Sequence, residues 1–357
     1  MYKLAVDAMG GDFGPEVTVP ACVDFLASDP NASILLVGDF EKIQRVLNLC
    51  QTSEKNEFIK KMCDPQVGRL TVKHAGSEIK MDQAPANALK HGRDSSLWIC
   101  LDEVRNGDSD GAVSAGNTGA LMALSRYIIK TISGISRPAI ASSLPNISGT
   151  GTTVLDLGAN ISCDAEQLLQ FAIMGSAFST AVEKISNPSV GLLNVGTEAS
   201  KGGGVLRQAG ELLVNSPINF IGNVEGNDIF VGKVDVVVCD GLTGNVALKS
   251  SEGLAQLIRH HLKAEFNKSL YGKIASLVSL PIFKRISTIL DHRTYNGAAL
   301  VGLDKVVFKS HGSADKFAFK YAIKRAAHAV ENDLSGKIRK AIIGEQSCRD
   351  KNLSLVS

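Results

Sequence analysis

Six segments of this 357-residue chain set Gly, Asn, Thr and Asp directly behind short apolar runs: "DAMGGD", "SAGNTGA", "DLGAN", "NVGTEASKGG", "GNVEGND" and "DGLTGN". Glycine lets backbone N–H groups come close to a ligand, and a helix N-terminus adds partial positive charge. Together they bind anions, phosphate above all. Gly10, Gly11, Gly116, Gly119, Gly241 and Gly244 supply such bare backbone, with Thr118, Thr243, Asn160 and Asn245 beside it. Each threonine serves equally well as a helix cap. Each asparagine alone is a turn residue, but Asn117, Asn160, Asn194, Asn223 and Asn245 together read as a polar, uncharged lining. Lys201, flanked by glycines at a loop-to-helix boundary, is the most suggestive cation. Lys249, one to two turns into the helix after "DGLTGN", can point at the same site.

Other chemistries lack their motifs. The chain holds no G-x-x-x-x-G-K-[ST], G-x-G-x-x-G, H-E-x-x-H or G-x-S-x-G, which weighs against a P-loop nucleotidase, a zinc protease and a serine hydrolase. Its seven histidines are dispersed, and the adjacent His260 and His261 point to different sides of a helix, so no metal and no cofactor is expected. Hydrophobic residues at 44% and charged ones at 21% describe an ordinary folded protein. No run approaches the roughly 18 apolar residues of a membrane span. Seven scattered cysteines without a C-x-x-C fit a reducing cytoplasm. The net charge of +2 hides one asymmetry: residues 255–293 carry seven Lys or Arg against Glu265 and Asp291. No nucleic-acid partner is expected.

The elements that must position these loops alternate. "KLAVDA", "ASILLVGD", "DGAVSAGN", "TTVLDLGAN", "SVGLLNVG" and "VDVVVCDG" each precede a helix-like segment. Runs such as VVVC lack period-two alternation, as strands covered on both faces do. The prediction is an α/β fold, a mainly parallel sheet wrapped by helices, with ligands beyond the carboxyl ends of the strands. Residues 1–345 are expected to form one large unit, or two lobes around a cleft, with a helical protrusion near 255–293. A polar tail is expected over 346–357. V-x-x-G-x-T-G occurs twice, at Val113–Gly119 and Val238–Gly244, as two similar strand-end turns would write it.

Five long segments, "DAMGGDFGPE", "SAGNTGAL", "NVGTEASKGG", "GNVEGNDI" and "DVVVCDGLTGNVALKSSEG", resemble in content and order the phosphate acyltransferases of bacterial phospholipid synthesis, the PlsX family. The resemblance runs from Val6 to about His311. It implies a homodimer with a fold like that of phosphotransacetylase and of isocitrate or isopropylmalate dehydrogenase. It also implies a reaction, acyl transfer from the thioester of acyl carrier protein to inorganic phosphate. The acyl phosphate would pass to a membrane-bound glycerol-phosphate acyltransferase. Asn296 and Ala299 depart from the pattern, standing where Gly and Pro are usual.

On that resemblance Lys201 would pair with phosphate, helped by Thr243 and the amides of Gly241 to Asn245. Asn117 or Asn223 would be oxyanion donors, and Asp240 and Glu225 would orient those groups. His311 would either protonate the departing thiol or sit in the core. Arg259, Lys263 and Lys268 would face the acidic carrier protein. In "GKIASLVSLPIFKRISTIL" two short amphipathic helices are expected to meet at Pro281. Leu277, Val278, Leu280, Ile282 and Phe283 would then touch a membrane, with Lys273, Lys284 and Arg285 flanking them, or else pack on protein. The enzyme would be cytoplasmic and peripherally bound to the inner face of the cell membrane. A phosphotransacetylase acting on acyl-coenzyme A and an isopropylmalate-type dehydrogenase are the alternatives.

Overall fold

The apolar runs pair into one 11-stranded sheet, in the order β3-β2-β1-β4-β11-β10-β5-β6-β9-β7-β8. This computed structural model describes residues 1–51, 68–289 and 291–356, without the side chains of 51, 283–290, 292 and 349–356. In the first half β1 (Tyr2–Asp7), β2 (Ala32–Gly38), β3 (Leu70–His74), β4 (Gly111–Ser114) and β11 (Val306–Lys309) are parallel. So are β6 (Thr152–Leu155), β7 (Val190–Leu193), β8 (Phe220–Val224) and β9 (Val236–Val238) in the second. Two central strands, β5 (Ala139–Leu144) and β10 (Ala298–Val301), join the halves. The predicted mainly parallel α/β sheet is what forms.

One expectation about it is corrected. The pairs β11·β10, β10·β5 and β5·β6 are all antiparallel. Three reversals leave the strands of the second half running against those of the first. Strand carboxyl ends therefore fall on two opposite edges, not one. Asp7, Ser114 and Lys309 end strands at what we call the upper edge, while Leu155, Val238, Leu193 and Val224 end strands at the lower.

One face of the sheet carries a continuous core. Leu4, Val6, Val113 and Phe308 of the first half join Leu155, Val236 and Val238 of the second, packed under Phe171, Phe178 and Phe319. Phe171 and Phe178 belong to α6 (Ala165–Phe178), which is nearly all buried and opens on a capping box between Asp164 and Gln167. On the opposite face the packing splits into two clusters, one around Leu97, Leu101, Leu121 and Leu124, the other around Ile140, Val154, Val224 and Val237.

The longest helix, α9 (Gly241–Asn267), starts at the lower edge and lays Leu248 against the second of those clusters. Further on, its residues Lys249 and Glu252 come close enough to bias the charge of His311 at the upper edge. Everything after them projects past the sheet, and α10 (Leu270–Ile289) returns the chain. Two short helices broken at Pro281 were expected; instead Pro281 lies inside α10 and the break falls at 268–269. There the Ser269 hydroxyl accepts the Gly272 N–H at 2.9 Å, a side-chain cap that opens a new helix. Arg293 pins the return, bridging Asp291 and Asp315. The segment read as a polar tail continues α12 (Leu334–Val356) instead of leaving it.

Candidate active site

At the upper edge the loop after β1 meets those after β4 and β11. Asp7, buried at the end of β1, accepts from the hydroxyls of Ser96 (2.6 Å) and Ser114 (2.7 Å). Burial raises its carboxyl above the usual range against those hydrogen bonds. A Cβ on Gly10 would sit 2.7 Å from both Asp7 Oδ2 and the Gly116 nitrogen, so the glycine is what lets the loops touch. Gly11, with φ of +91°, would meet Gly312 O at 2.9 Å in the same way. The Asp12 N–H closes this contact on Gly312 O at 2.9 Å.

Two basic side chains stand here. Lys309 Nζ donates to Ala115 O at 3.1 Å and to Ser310 O, and burial lowers it to about 8. His311 is pushed below the ordinary histidine range by burial, then by the positive charges of Lys309 and Lys249. Its Nδ1 accepts the Ser313 N–H at 3.3 Å, which leaves the proton of the neutral ring on Nε2. Asn296 sets the ring's backbone: its carbonyl accepts the His311 N–H at 3.0 Å, while its amide donates to Ser310 Oγ and Ala318 O. A glycine at that position would hold none of these. Lys249 pairs with Glu252 at 2.8 Å on the exposed face of α9.

Several residues expected to bind ligand also make hydrogen bonds within the fold. Asn117 caps α5 (Thr118–Ile128), accepting the Ala120 N–H at 3.0 Å, and spends its amide on Met81 O and Gln83 O. That leaves Thr118 and Gly119 inside the first turn, with Gly119 against Pro85. The cap is therefore the asparagine, one place before the threonine.

The lower edge repeats the plan. Asp156, fully buried beside β9, accepts from the N–H groups of Ile140, Ala159 and Asn160 and from the Asn160 side chain, at 2.6 to 3.1 Å. Gly241 faces this carboxylate as Gly10 faces Asp7, and a Cβ on Gly244 would fall 1.9 Å from Asp156 O. Asp240 caps α9, accepting both the N–H (2.9 Å) and the hydroxyl (2.8 Å) of Thr243, so that hydroxyl has no proton left to donate. Asn245 packs beside Gly158. Lys201 is exposed in the neighbouring loop after β7. Asn194 and Asn223 tie that loop through Lys201 O (3.2 Å) and Glu198 O (3.0 Å). Glu225 is exposed, and its N–H donates to Asp228. The structure thus sorts the predicted residues into two groups. Gly10, Gly11, Gly116, Lys249 and His311 gather above. Lys201, Asn223, Glu225, Asp240 and Gly241 to Asn245 gather below.

Sequence reading missed Lys309, which ends a strand one residue before the serine and histidine of "KSHG" and carries no glycine signal of its own. All four residues of β11 are buried, so no alternation set the lysine apart.

The fold is the α/β fold shared by phosphotransacetylases and a group of dehydrogenases. It superposes on a phosphotransacetylase from Streptococcus pyogenes with a TM-score of 0.58, at 19% identity, over 92% of this chain and 94% of that one. A branched-chain phosphotransacylase from Enterococcus faecalis gives 0.53, at 12% identity, over 92% and 100%. A 4-hydroxythreonine-4-phosphate dehydrogenase from Klebsiella pneumoniae gives 0.52, at 13% identity, over 92% and 98%. The fold alone therefore does not choose between acyl transfer and dehydrogenation. The sequence does. Residues 2–337 match the family model described as "Fatty acid synthesis protein". The chain is 50% identical over 346 residues to a phosphate acyltransferase of Polaromonas naphthalenivorans, covering 96% of this chain and 90% of that protein. It is 49% identical over 353 residues to one of Paraburkholderia xenovorans, covering 98% and 92%. The chain belongs to the phosphate acyltransferase family, and it is an acyltransferase of lipid synthesis.

Proposed function

We propose that this enzyme moves a fatty acyl group from the thioester of acyl carrier protein to inorganic phosphate, making acyl phosphate for phosphatidic acid synthesis. A phosphate oxygen attacks the thioester carbonyl carbon, a C–O bond forms, and the C–S bond breaks. Hydrogen phosphate gives its proton to the departing sulfur, so the products are an acyl phosphate and a free thiol. No covalent enzyme intermediate is needed, because phosphate is already a nucleophile and thiols leave readily. The protein supplies position and preorganised charge. The Gly11 backbone, with neutral His311 offering Nε2–H, suits the oxyanion, while the Gly10 and Gly116 N–H groups hold the loop by donating to Asp7 O (3.4 Å) and Ser114 Oγ (3.0 Å).

The observation that carries the choice of donor is the course of α9. From Lys249 beside His311 it runs roughly 15 Å, at 1.5 Å per residue, to Arg259. Arg259, Lys263 and Lys268 are all exposed there. A basic surface one arm's length from the reacting carbonyl suits an acidic carrier protein better than coenzyme A. In this reading the enzyme is a cytoplasmic homodimer that docks peripherally on the inner face of the membrane, beside a glycerol-phosphate acyltransferase. A second copy also offers a route by which a lower-edge Lys201 could reach an upper-edge site.

Thiol release tests the proposal. With phosphate present the enzyme should consume the carrier-protein thioester far better than the coenzyme A thioester. Arg259→Glu with Lys263→Glu should raise KM for the carrier thioester several-fold at low salt and leave coenzyme A turnover alone. Equal use of both donors, unaffected by charge reversal, would favour the phosphotransacetylase reading.

A further inference from the structure

Lys309 is nine-tenths buried, with 9% of its surface exposed. A buried ammonium is ordinarily matched by a carboxylate, since an unpaired charge away from water is costly. Among the described residues no carboxylate oxygen lies within 4 Å of Lys309 Nζ. Asp7 and Asp12 are near enough to favour its charge, yet neither pairs with it: Asp7 is occupied by Ser96 and Ser114. Two of the three N–H bonds go to backbone carbonyls, Ala115 O in the loop after β4 and Ser310 O in the loop after β11. These are the loops that close on Gly10 and Gly11.

We infer that Lys309 is a catalytic residue, the cation that holds an oxygen of the attacking phosphate. Its two carbonyl contacts fix Nζ in place, so the third N–H is preorganised and the missing counter-charge is the substrate's own. A preplaced ammonium neutralises phosphate without quenching it as a carboxylate partner would, and it remains protonated throughout the transfer. The inference rests on the acyl-to-phosphate reading above and adds to it the group that receives the phosphate.

Steady-state kinetics with both substrates varied tests it. Lys309→Met keeps length and removes charge. It should raise KM for phosphate at least tenfold, leave KM for the acyl thioester within about twofold, and be partly repaired in Lys309→Arg. A folded Lys309→Met enzyme with unchanged phosphate KM overturns the inference. Should that variant not fold, the parent enzyme decides: its kcat/KM for phosphate should fall about tenfold per pH unit above pH 8. Phosphate itself does not titrate there, and the charged groups near Nζ are Asp7, Asp12 and His311, with Lys249 and Glu252 of α9 acting on His311. A flat profile to pH 9.5 overturns it equally. A parent enzyme that releases no thiol on adding phosphate would refute the reaction, not the lysine's part in it.

Discussion

At the scale of the residue, the distinction that matters is between groups with hydrogen-bonding capacity left over and groups whose capacity is spent. Asn117, Asp156 and Asp240 are spent on their own backbone. His311 is not: with Nδ1 turned to Ser313 and burial holding the ring neutral, it has Nε2–H to offer. A neutral donor and a general acid make different predictions. As a donor, His311 should be replaced tolerably by Gln, within about tenfold in kcat, whereas His311→Ala should cost on the order of 10²-fold. Because burial pushes its titration below the ordinary histidine range, the ring takes up a proton only on acidification, so kcat should be flat between pH 7 and 8. Gln as inactive as Ala would restore the general-acid role.

At the scale of the element, α9 and α10 stand apart. An amphipathic helix usually hides its apolar face on its own core, yet Leu277 and Val278 are 66% and 76% exposed, in company with Leu270, Tyr271, Ile274, Leu280 and Ile282. The Phe283 side chain lies outside the described residues. No helix among the described residues is long and apolar enough to cross a membrane. A patch of this kind marks a lipid or protein contact. For lipid, burying both side chains is worth about 4 kcal/mol, so Leu277→Glu with Val278→Glu should weaken sedimentation with anionic vesicles on the order of 10³-fold. Turnover of soluble substrate should persist. If gel filtration instead shows the double variant losing its oligomeric state, that surface belongs to a second copy.

At the scale of the whole molecule, two oppositely directed half-sheets behave as one body because one core face runs unbroken beneath them. A buried polar knot reinforces the join. Arg325 of α11 (Lys316–Glu331) donates to Gly297 O at 3.2 Å, to Ser143 Oγ at 2.9 Å and to Glu183. It thereby ties β5, the loop before β10 and the turn after α6. Arg325→Met would strand the Glu183 carboxylate, at a cost of roughly 3 kcal/mol. For a chain of this length that is a fall in Tm of about 4 °C. Calorimetry should show it as one shifted transition. Separate melting of two halves would mean that the shared core does not couple them.

Much of this protein is written locally. The apolar runs lie between two layers of helix, so strands such as VVV show as unbroken hydrophobic stretches. Gly10 and Gly244 are glycines because a Cβ at either would strike Asp7, Gly116 or Asp156, and a short motif records that crowding. The family, too, was legible in five ordered segments. What no local pattern holds is strand direction. β5 and β10 look like any other apolar run, but their antiparallel pairing turns the second half over and divides one apparent phosphate site between two edges. Nor does a sequence say which lysine is buried. Lys201 announces itself through its glycines and stands in solvent, while Lys309 looks like the last residue of a strand. Lys309 becomes an unpaired cation only when strands far apart in the chain close around it, because burial and counter-charge are properties of the packed whole.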